Sequence, residues 1–351
     1  MAGKHSTSPR PLAWVKGNAI GRGSFGVVNL AMNKSNGELF VVKSASSPAG
    51  FRSLQNEAGI LKDLDSPHVV RCLGQDVAEE AEGGSRKFNL FMEFMAGGSL
   101  SDIAKRFGGA LDESVIRSYT REILHGLAYL HRNGIVHCDL KCKNVLLGSS
   151  GNIKLADFGA AKRLDPSAAD ADADSNNFWQ SMCGTPLWMA PEVLRKEGLD
   201  FASDIWSLGC TVIEMATGRP PWGDDVSNPL AAVYKIACSE EIPQLPAGFS
   251  AEGLDFLRKC LEREPRKRCS SSQLLSHPFV TAEGGGKGDD ADSPTSVLDE
   301  REWESEGWDS PAIEEELPAE RMPFSKRSVL QRKRWVAKER DDEAAEWIVV
   351  R

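Results

Sequence analysis

His137-Cys138-Asp139-Leu140-Lys141-Cys142-Lys143-Asn144, followed after an apolar run by Asp157-Phe158-Gly159, is the stretch around which the rest of the chain is organised. Moving a phosphoryl group from a magnesium-bound nucleotide requires a carboxylate beside the attacking hydroxyl, a cation on the moving group, and two oxygen ligands for metal. Asp139, Lys141, Asn144 and Asp157 supply that set in order. Taken singly, each is an ordinary loop residue, because Asp and Asn form turns readily. Both motifs in this order around a hydrophobic strand are far more specific.

Upstream, Gly21-Arg22-Gly23-Ser24-Phe25-Gly26-Val27-Val28 is flanked by apolar residues from Trp14 to Ile20 and predicts strand, glycine-rich turn, strand. Glycines 21, 23 and 26 let the backbone fold tightly and bring its N–H groups to phosphate oxygens, with Phe25 at the tip as a water shield. A glycine-rich hairpin without ligand is the plain alternative. Because Val27-Val28-Asn29-Leu30-Ala31 continues as a strand, the dinucleotide fingerprint, which opens a helix there, is disfavoured. Asn36-Gly37 predicts a hairpin into Leu39–Lys43. Lys43 follows four apolar residues, so its ammonium is expected to enter a cleft and to need an anion. Phe51, Leu54, Ala58, Leu61 and Leu64 recur at helical spacing with Glu57 beside the stripe, which offers that anion; a surface glutamate is the competing reading.

Strands are predicted at Val69–Gly74 and Lys87–Phe94, separated by the acidic loop Glu79–Ser85. Glu93-Phe94-Met95-Ala96-Gly97-Gly98-Ser99-Leu100 then passes from strand to turn to helix start. It reads as a hinge between a small sheet-rich lobe and a larger helical one, with a nucleotide base meeting backbone groups near Glu93 and Met95. Asp112 or Ser114 caps the next helix, whose buried face is Ile116, Ile123, Leu127 and Leu130.

After Gly159 the segment Ala160 to Met182 is acidic and low in complexity in its middle and is expected to be mobile alone. Asp204–Ile213 is apolar nearly all round, predicting a central helix in which Asp204 holds the catalytic loop through backbone donors. Shorter peripheral helices are expected at Pro229–Ala237, Ala251–Leu261 and Ser271–Leu275. Arg268 is placed to pair with Glu192, or else faces solvent; Thr185 bonds near Asp139 and Lys141, or else is a site of autophosphorylation.

A chain of 351 residues accommodates about two lobes or domains. A net charge of −9 disfavours a nucleic-acid or membrane surface as main partner. Eight cysteines without close metal spacing read as reduced thiols of the cytosol or nucleus. Met1–Pro11 is polar, so no secretory signal is expected, and no apolar run has the length of a membrane span. From Glu283 the composition shifts to Gly, Asp, Glu, Ser and Pro, which sets residues 281–351 apart as an acidic, mostly disordered tail. Its basic clusters, Lys326-Arg327 and Arg332-Lys333-Arg334, are a solvated charge run or an import or docking patch.

Between about Trp14 and Val280 these motifs resemble the eukaryotic protein kinase family, since the glycine loop, Lys43, Glu57, Asp139 to Asn144, Asp157 to Gly159, Ala190 to Glu192, Asp204 and Arg268 follow its order. The resemblance implies an α+β, two-lobed fold: a small antiparallel sheet plus one helix over about 14–94, and a mainly helical lobe over about 98–280, after an extension at 1–13. It implies ATP and Mg2+ as cofactors. The nucleotide would be held by Ile20, Gly21, Arg22, Gly23, Ser24, Phe25, Gly26, Val27, Val28, Lys43, Glu57, Glu93, Met95 and Ser99, metal by Asn144 and Asp157, and catalysis carried by Asp139 and Lys141. Lys141 matches the serine/threonine-specific version.

Gly184–Val193 and Trp14–Gly17 are similar to the plant MEKK-like mitogen-activated protein kinase kinase kinases, implying a mitogen-activated protein kinase kinase as substrate; a regulatory partner of the C-terminal tail is a separate expectation. Two other readings stand beside it: an ATP-binding scaffold without catalysis, and a Ser/Thr kinase outside that cascade. One position departs from the family pattern. Cys138 stands where an arginine normally binds a phosphate on the activation segment, and a thiol cannot make bidentate bonds. Little dependence on loop phosphorylation is therefore expected, with Lys162 as a partial substitute cation.

Overall fold

The computed structural model describes residues 13–23, 26–79, 86–164, 184–223 and 229–281. The tip residues Ser24 and Phe25, most of the acidic loop after Glu79, the low-complexity middle of the activation segment, residues 1–12 and the tail lie outside the described residues.

Five strands build the first lobe: β1 (Trp14–Gly23), β2 (Gly26–Asn33), β3 (Leu39–Ala45), β4 (Cys72–Glu79) and β5 (Arg86–Glu93). They form an antiparallel sheet in the order β1-β2-β3-β5-β4. The turn between β2 and β3 places Gly37 at φ 74°, as the Asn-Gly signal requires. Strand β3 is central and buried from Phe40 to Ala45. Alternation sends Phe40 and Val42 to the outer face, where they pack with Ala31, Phe91 and the Trp14 ring. The other face meets α1 (Pro48–Leu61) through Leu54, Ala58 and Leu61. Burying each leucine contributes roughly 1.5–3 kcal/mol, and the Ala58 methyl less than about 1 kcal/mol. Helix α1 begins where Ser47 accepts the Gly50 N–H at 3.2 Å and Pro48 occupies the first turn.

The strand expected at Val69–Gly74 is displaced: β4 runs from Cys72, with a register shift between Cys72 and Gly74. Val69 and Val70 are buried instead against the second lobe, where the Val70 N–H donates to Leu155 O at 2.9 Å. A short apolar run reads alike whether it enters a sheet or a buried connector, so periodicity alone cannot separate them.

The second lobe comprises β6 (Gly98–Ser99), α2 (Leu100–Arg106), α3 (Glu113–Arg132), β7 (Ile135–Val136), β8 (Val145–Leu147), β9 (Ile153–Leu155) and β10 (Lys162–Arg163). Helices α4 (Pro191–Leu194), α5 (Phe201–Thr217), α6 (Pro229–Cys238), α7 (Ala251–Cys260), α8 (Ser271–Leu274) and α9 (Pro278–Thr281) follow. Helix α3 starts after Asp112, whose side chain makes no capping bond, and buries Ile116, Ile123, Leu127 and Leu130 completely. Helix α5 is buried from Ser203 to Ile213 and is the axis of the lobe. Gly209 lets it approach α7, since a Cβ there would lie 2.9 Å from that of Cys260. The peripheral helices fall within a residue of their expected bounds; α9 carries no sequence signal of its own. No described helix is long and apolar enough to cross a membrane.

Candidate active site

Strand β3 delivers Lys43 to the face directed at α1, and its Nζ donates to Glu57 Oε2 and to Asp157 Oδ1, each at 2.7 Å. Glu57 is fully buried on α1, and its second oxygen accepts the Phe158 N–H at 3.2 Å. Burial pulls the Lys43 ammonium down, but the two carboxylates outweigh it and hold the group above the usual lysine range. Burial likewise pushes the Asp157 carboxyl up, and Lys43, with a smaller contribution from Lys141, overrides it to leave Asp157 below the usual carboxylate range.

Asp157 sits at φ 65°, a left-handed conformation costing a non-glycine residue on the order of 1 kcal/mol. Neighbours hold it there. Phe158 is fully buried with its ring centroid 4.8 Å from that of His137, whose Nε2 lies 3.1 Å from Ala156 O. Asn56 of α1 donates through Nδ2 toward the carbonyls of Phe158, Gly159 and Ala161 at 3.4, 3.3 and 2.9 Å. Sequence reading missed Asn56, because a polar residue on a helix beside a buried glutamate carries no distinguishing pattern.

The second group forms on the loop between β7 and β8. Asp139 Oδ2 accepts from Lys141 Nζ at 2.8 Å and from Asn144 Nδ2 at 2.9 Å, while Oδ1 accepts from the Thr185 hydroxyl at 2.7 Å. Lys141 Nζ also donates to Thr185 Oγ1. Asn144 further holds the loop through Asp139 O at 2.8 Å. Thus Asp139, Lys141, Asn144 and Thr185, 46 residues apart at the extremes, converge on one carboxylate.

Asp204 is the support beneath this loop. It is fully buried in α5 and accepts the backbone N–H groups of His137 and Cys138 at 2.9 and 3.0 Å, and contacts His131 Nε2 at 3.0 Å. Burial pushes its carboxyl up, but His131, His137 and these bonds bring it below the usual range. Glu214, on the same helix, accepts from the Cys142 N–H and Trp188 Nε1, both at 3.0 Å. The signal that singled out Asp204, a carboxylate inside an apolar helix, applied equally to Glu214. Arg268 meets Glu192 through two bonds of 2.7 and 3.1 Å, so the paired reading holds. Gly184, at φ 109°, lies against Cys138, where a Cβ would be 2.3 Å from the carbonyl oxygen. Lys162 pairs with Val136 across β10 and β7 and is exposed.

The described glycine-loop residues Ile20, Gly21, Arg22, Gly23, Gly26, Val27 and Val28 bridge β1 and β2. Val28 is the cross-strand partner of Lys43, and Gly26 is obligatory because a Cβ would lie 2.5 Å from Ser44 O. At the hinge, the Glu93 carboxylate accepts from the Arg71 N–H at 2.6 Å and Lys154 Nζ at 2.7 Å; Met95 is buried. The Ser99 hydroxyl donates to Asp102 Oδ2 at 2.6 Å and caps α2.

A family model described as the protein kinase domain matches residues 14–280. The chain belongs to the protein kinase family. Mitogen-activated protein kinase kinase kinase 17 of Arabidopsis thaliana is 42% identical over 301 residues, covering 84% of this chain and 78% of that protein. Mitogen-activated protein kinase kinase kinase 18 of the same plant is 40% identical over 318 residues, covering 89% and 88%. Kinase kinase kinase 2 is 43% identical over 281 residues, 77% of this chain but 41% of that longer protein. The kinase is therefore a serine/threonine protein kinase resembling the plant MEKK-like group, with the two-lobed α+β fold described above.

Proposed function

We propose that this kinase transfers the terminal phosphate of magnesium-bound ATP to a serine or threonine hydroxyl of a mitogen-activated protein kinase kinase. The observation that carries the reading is the Asp139 carboxylate, held on both oxygens by Lys141, Asn144 and Thr185. A carboxylate so oriented accepts the proton of an incoming hydroxyl, and the adjacent ammonium neutralises charge on the transferred group.

The donor set fits nucleotide and metal. Lys43 is locked between two acids as a permanent cation, where it meets phosphate oxygens. The Asn144 amide nitrogen is spent on Asp139, which leaves its carbonyl oxygen, together with the partly exposed Asp157 carboxylate, as the hard oxygen ligands Mg2+ prefers. When bound, magnesium supplies charge neutralisation between the phosphates. Glycine-loop N–H groups contact the phosphates, and backbone groups around Glu93 and Met95 meet the base. The protein's contribution is placement: Asp204 and Glu214 fix the loop from below, and Glu57 and Asn56 couple α1 to Asp157.

That the relatives are mitogen-activated protein kinase kinase kinases supports the choice of a kinase kinase as substrate. In the same reading, residues 14–280 are the catalytic domain, 281–351 an acidic tail that engages a regulatory partner, and the site of action is the cytoplasm or nucleus. The test is phosphorylation of a panel of purified kinase kinases with sites mapped on the products. Asp139→Asn is expected to lower kcat by about 100- to 10,000-fold with ATP binding retained. A variant at full rate removes the assigned role, and transfer only to unrelated proteins removes the assigned substrate.

A further inference from the structure

Asp157 stands at the head of a single tight turn, Phe158–Ala160, and a left-handed aspartate persists only where its surroundings over-determine it. One face of α1 does this. At the start of the turn Glu57 Oε1 accepts the Phe158 N–H at 3.2 Å. At its end the last carbonyls of so short a helix lack partners of their own. Asn56, the residue before Glu57, supplies the donors: its Nδ2 lies 2.9 Å from Ala161 O, 3.3 Å from Gly159 O and 3.4 Å from Phe158 O. An amide carries two hydrogens, so one serves Ala161 and the other is shared by the remaining pair. The reversed amide would set an oxygen against all of these carbonyls, which fixes the orientation. One helical turn earlier, Ser53 closes the contact, since a Cβ at Gly159 would collide with its Oγ.

The residues that follow are fastened to the second lobe. Lys162 and Arg163 pair with Val136 and Ile135, and the Leu164 N–H donates to Gly134 O at 2.8 Å. Asn56 therefore joins the helix of the first lobe to a turn whose continuation is held by the other. Glu57 shares that task but is also bonded to Lys43. The Asn56 amide donates to backbone carbonyls, so it can be changed without breaking the ion pair on Lys43.

We propose that Asn56 is a positioning residue for Asp157: its amide caps the turn and thereby sets the magnesium concentration that the site requires. The inference rests on Asp157 as a metal ligand, as the proposed function has it. A carboxylate already held in one direction binds metal at its intrinsic affinity, whereas one on a loosened turn binds in proportion to the ordered fraction. The acceptor is unaffected, because Asp139 and Lys141 are held on another loop.

Two readouts on the full chain test this, one of them independent of phosphate transfer. Hydrogen–deuterium exchange of the nucleotide-free protein is expected to show the Phe158 and Ala161 amides exchanging about tenfold faster in Asn56→Ala than in wild type. Asn56→Asp, which keeps the shape and replaces the donor by an oxygen, is expected to exchange at least as fast. Asn56→Ala keeps its melting temperature within about 3 °C, because the position is exposed and alanine favours the helix. At saturating ATP and acceptor, the free magnesium giving half-maximal transfer is expected to rise about fivefold in both variants, with KM for the acceptor unchanged. A variant that only lowers the folded fraction loses rate equally at every magnesium concentration. That result, or unchanged exchange at Phe158 and Ala161, overturns the proposal. If the wild-type chain transfers no phosphate, the proposed function fails, while the same shift read in magnesium-dependent ADP binding still decides the role of Asn56.

Discussion

Replacing Glu192 by alanine exposes how the activation segment is fastened. The Glu192 and Arg268 side chains are 6% and 0% exposed, so truncation strands a guanidinium in the interior. Losing one partner of a buried ion pair costs about 3–5 kcal/mol. Arg268 keeps carbonyl acceptors at Glu262 (2.7 Å) and Ala202 (2.6 Å), and its Cζ lies 5.4 Å from the Trp206 ring centroid. These retained contacts place Glu192→Ala at the low end, about 3 kcal/mol. Arg268→Met is costlier, about 5 kcal/mol, because it strands the Glu192 carboxylate and removes the donor from both carbonyls. With about 2–4 °C of Tm per kcal/mol, calorimetry is expected to show losses of about 6–12 °C and 10–20 °C. The double variant Glu192→Ala/Arg268→Met loses less than the sum, since neither charge is left unpaired. A Glu192→Ala Tm within about 2 °C of wild type, or single effects that add without coupling, would refute the reasoning.

Thr185→Val removes the donor to Asp139 Oδ1 while keeping its volume, and is expected to cut kcat by roughly tenfold with little change in KM for ATP; a change confined to KM would oppose it. Lys43→Met is expected to abolish transfer while releasing Asp157 upward toward the ordinary carboxylate range, detectable as an acid-shifted unfolding curve relative to wild type. Asp157 and Asp204 are both depressed, so their stabilisation is complete above the unfolded value near 3.8 and is lost as pH falls through their lower folded values. Stability followed by urea titration should therefore hold down to about pH 4 from these two groups and drop below it, and Asp204→Asn should flatten that drop. Alanine at Ser175 and Ser181 together is expected to leave most activity, because Cys138 offers no guanidinium for a loop phosphate; near-total loss with an unchanged melting curve would show that another cation takes its place.

Much of the fold was legible because its signals are local. The glycine turn, the Asn-Gly hairpin, the apolar β3 run ending in Lys43 and the nearly unbroken apolar stretch of α5 each fix an element by steric or burial rules within a few residues. Motif order was enough to nominate Asp139, Lys141, Asn144 and Asp157. Two carboxylates with lone positions in apolar surroundings show the limit: Asp204 was anticipated, and Glu214, with the same kind of environment, was not. The misplaced start of β4 has a similar origin, since Val69 and Val70 satisfy their hydrophobicity against Leu155 in the other lobe.

What the chain's order of residues determined by itself is therefore the set of parts and the chemistry available to each. Only the tertiary structure decided which parts meet. The 114 residues separating Lys43 from Asp157 and the 76 separating Glu192 from Arg268 are closed by packing, not by any local rule. A side chain's partner depends on which surfaces the whole core brings within hydrogen-bond reach. A cleft on the outer face of the small sheet illustrates the same physics, because no pattern along β1, β2 or β5 announces that Lys16, Arg22 and Lys87 line it.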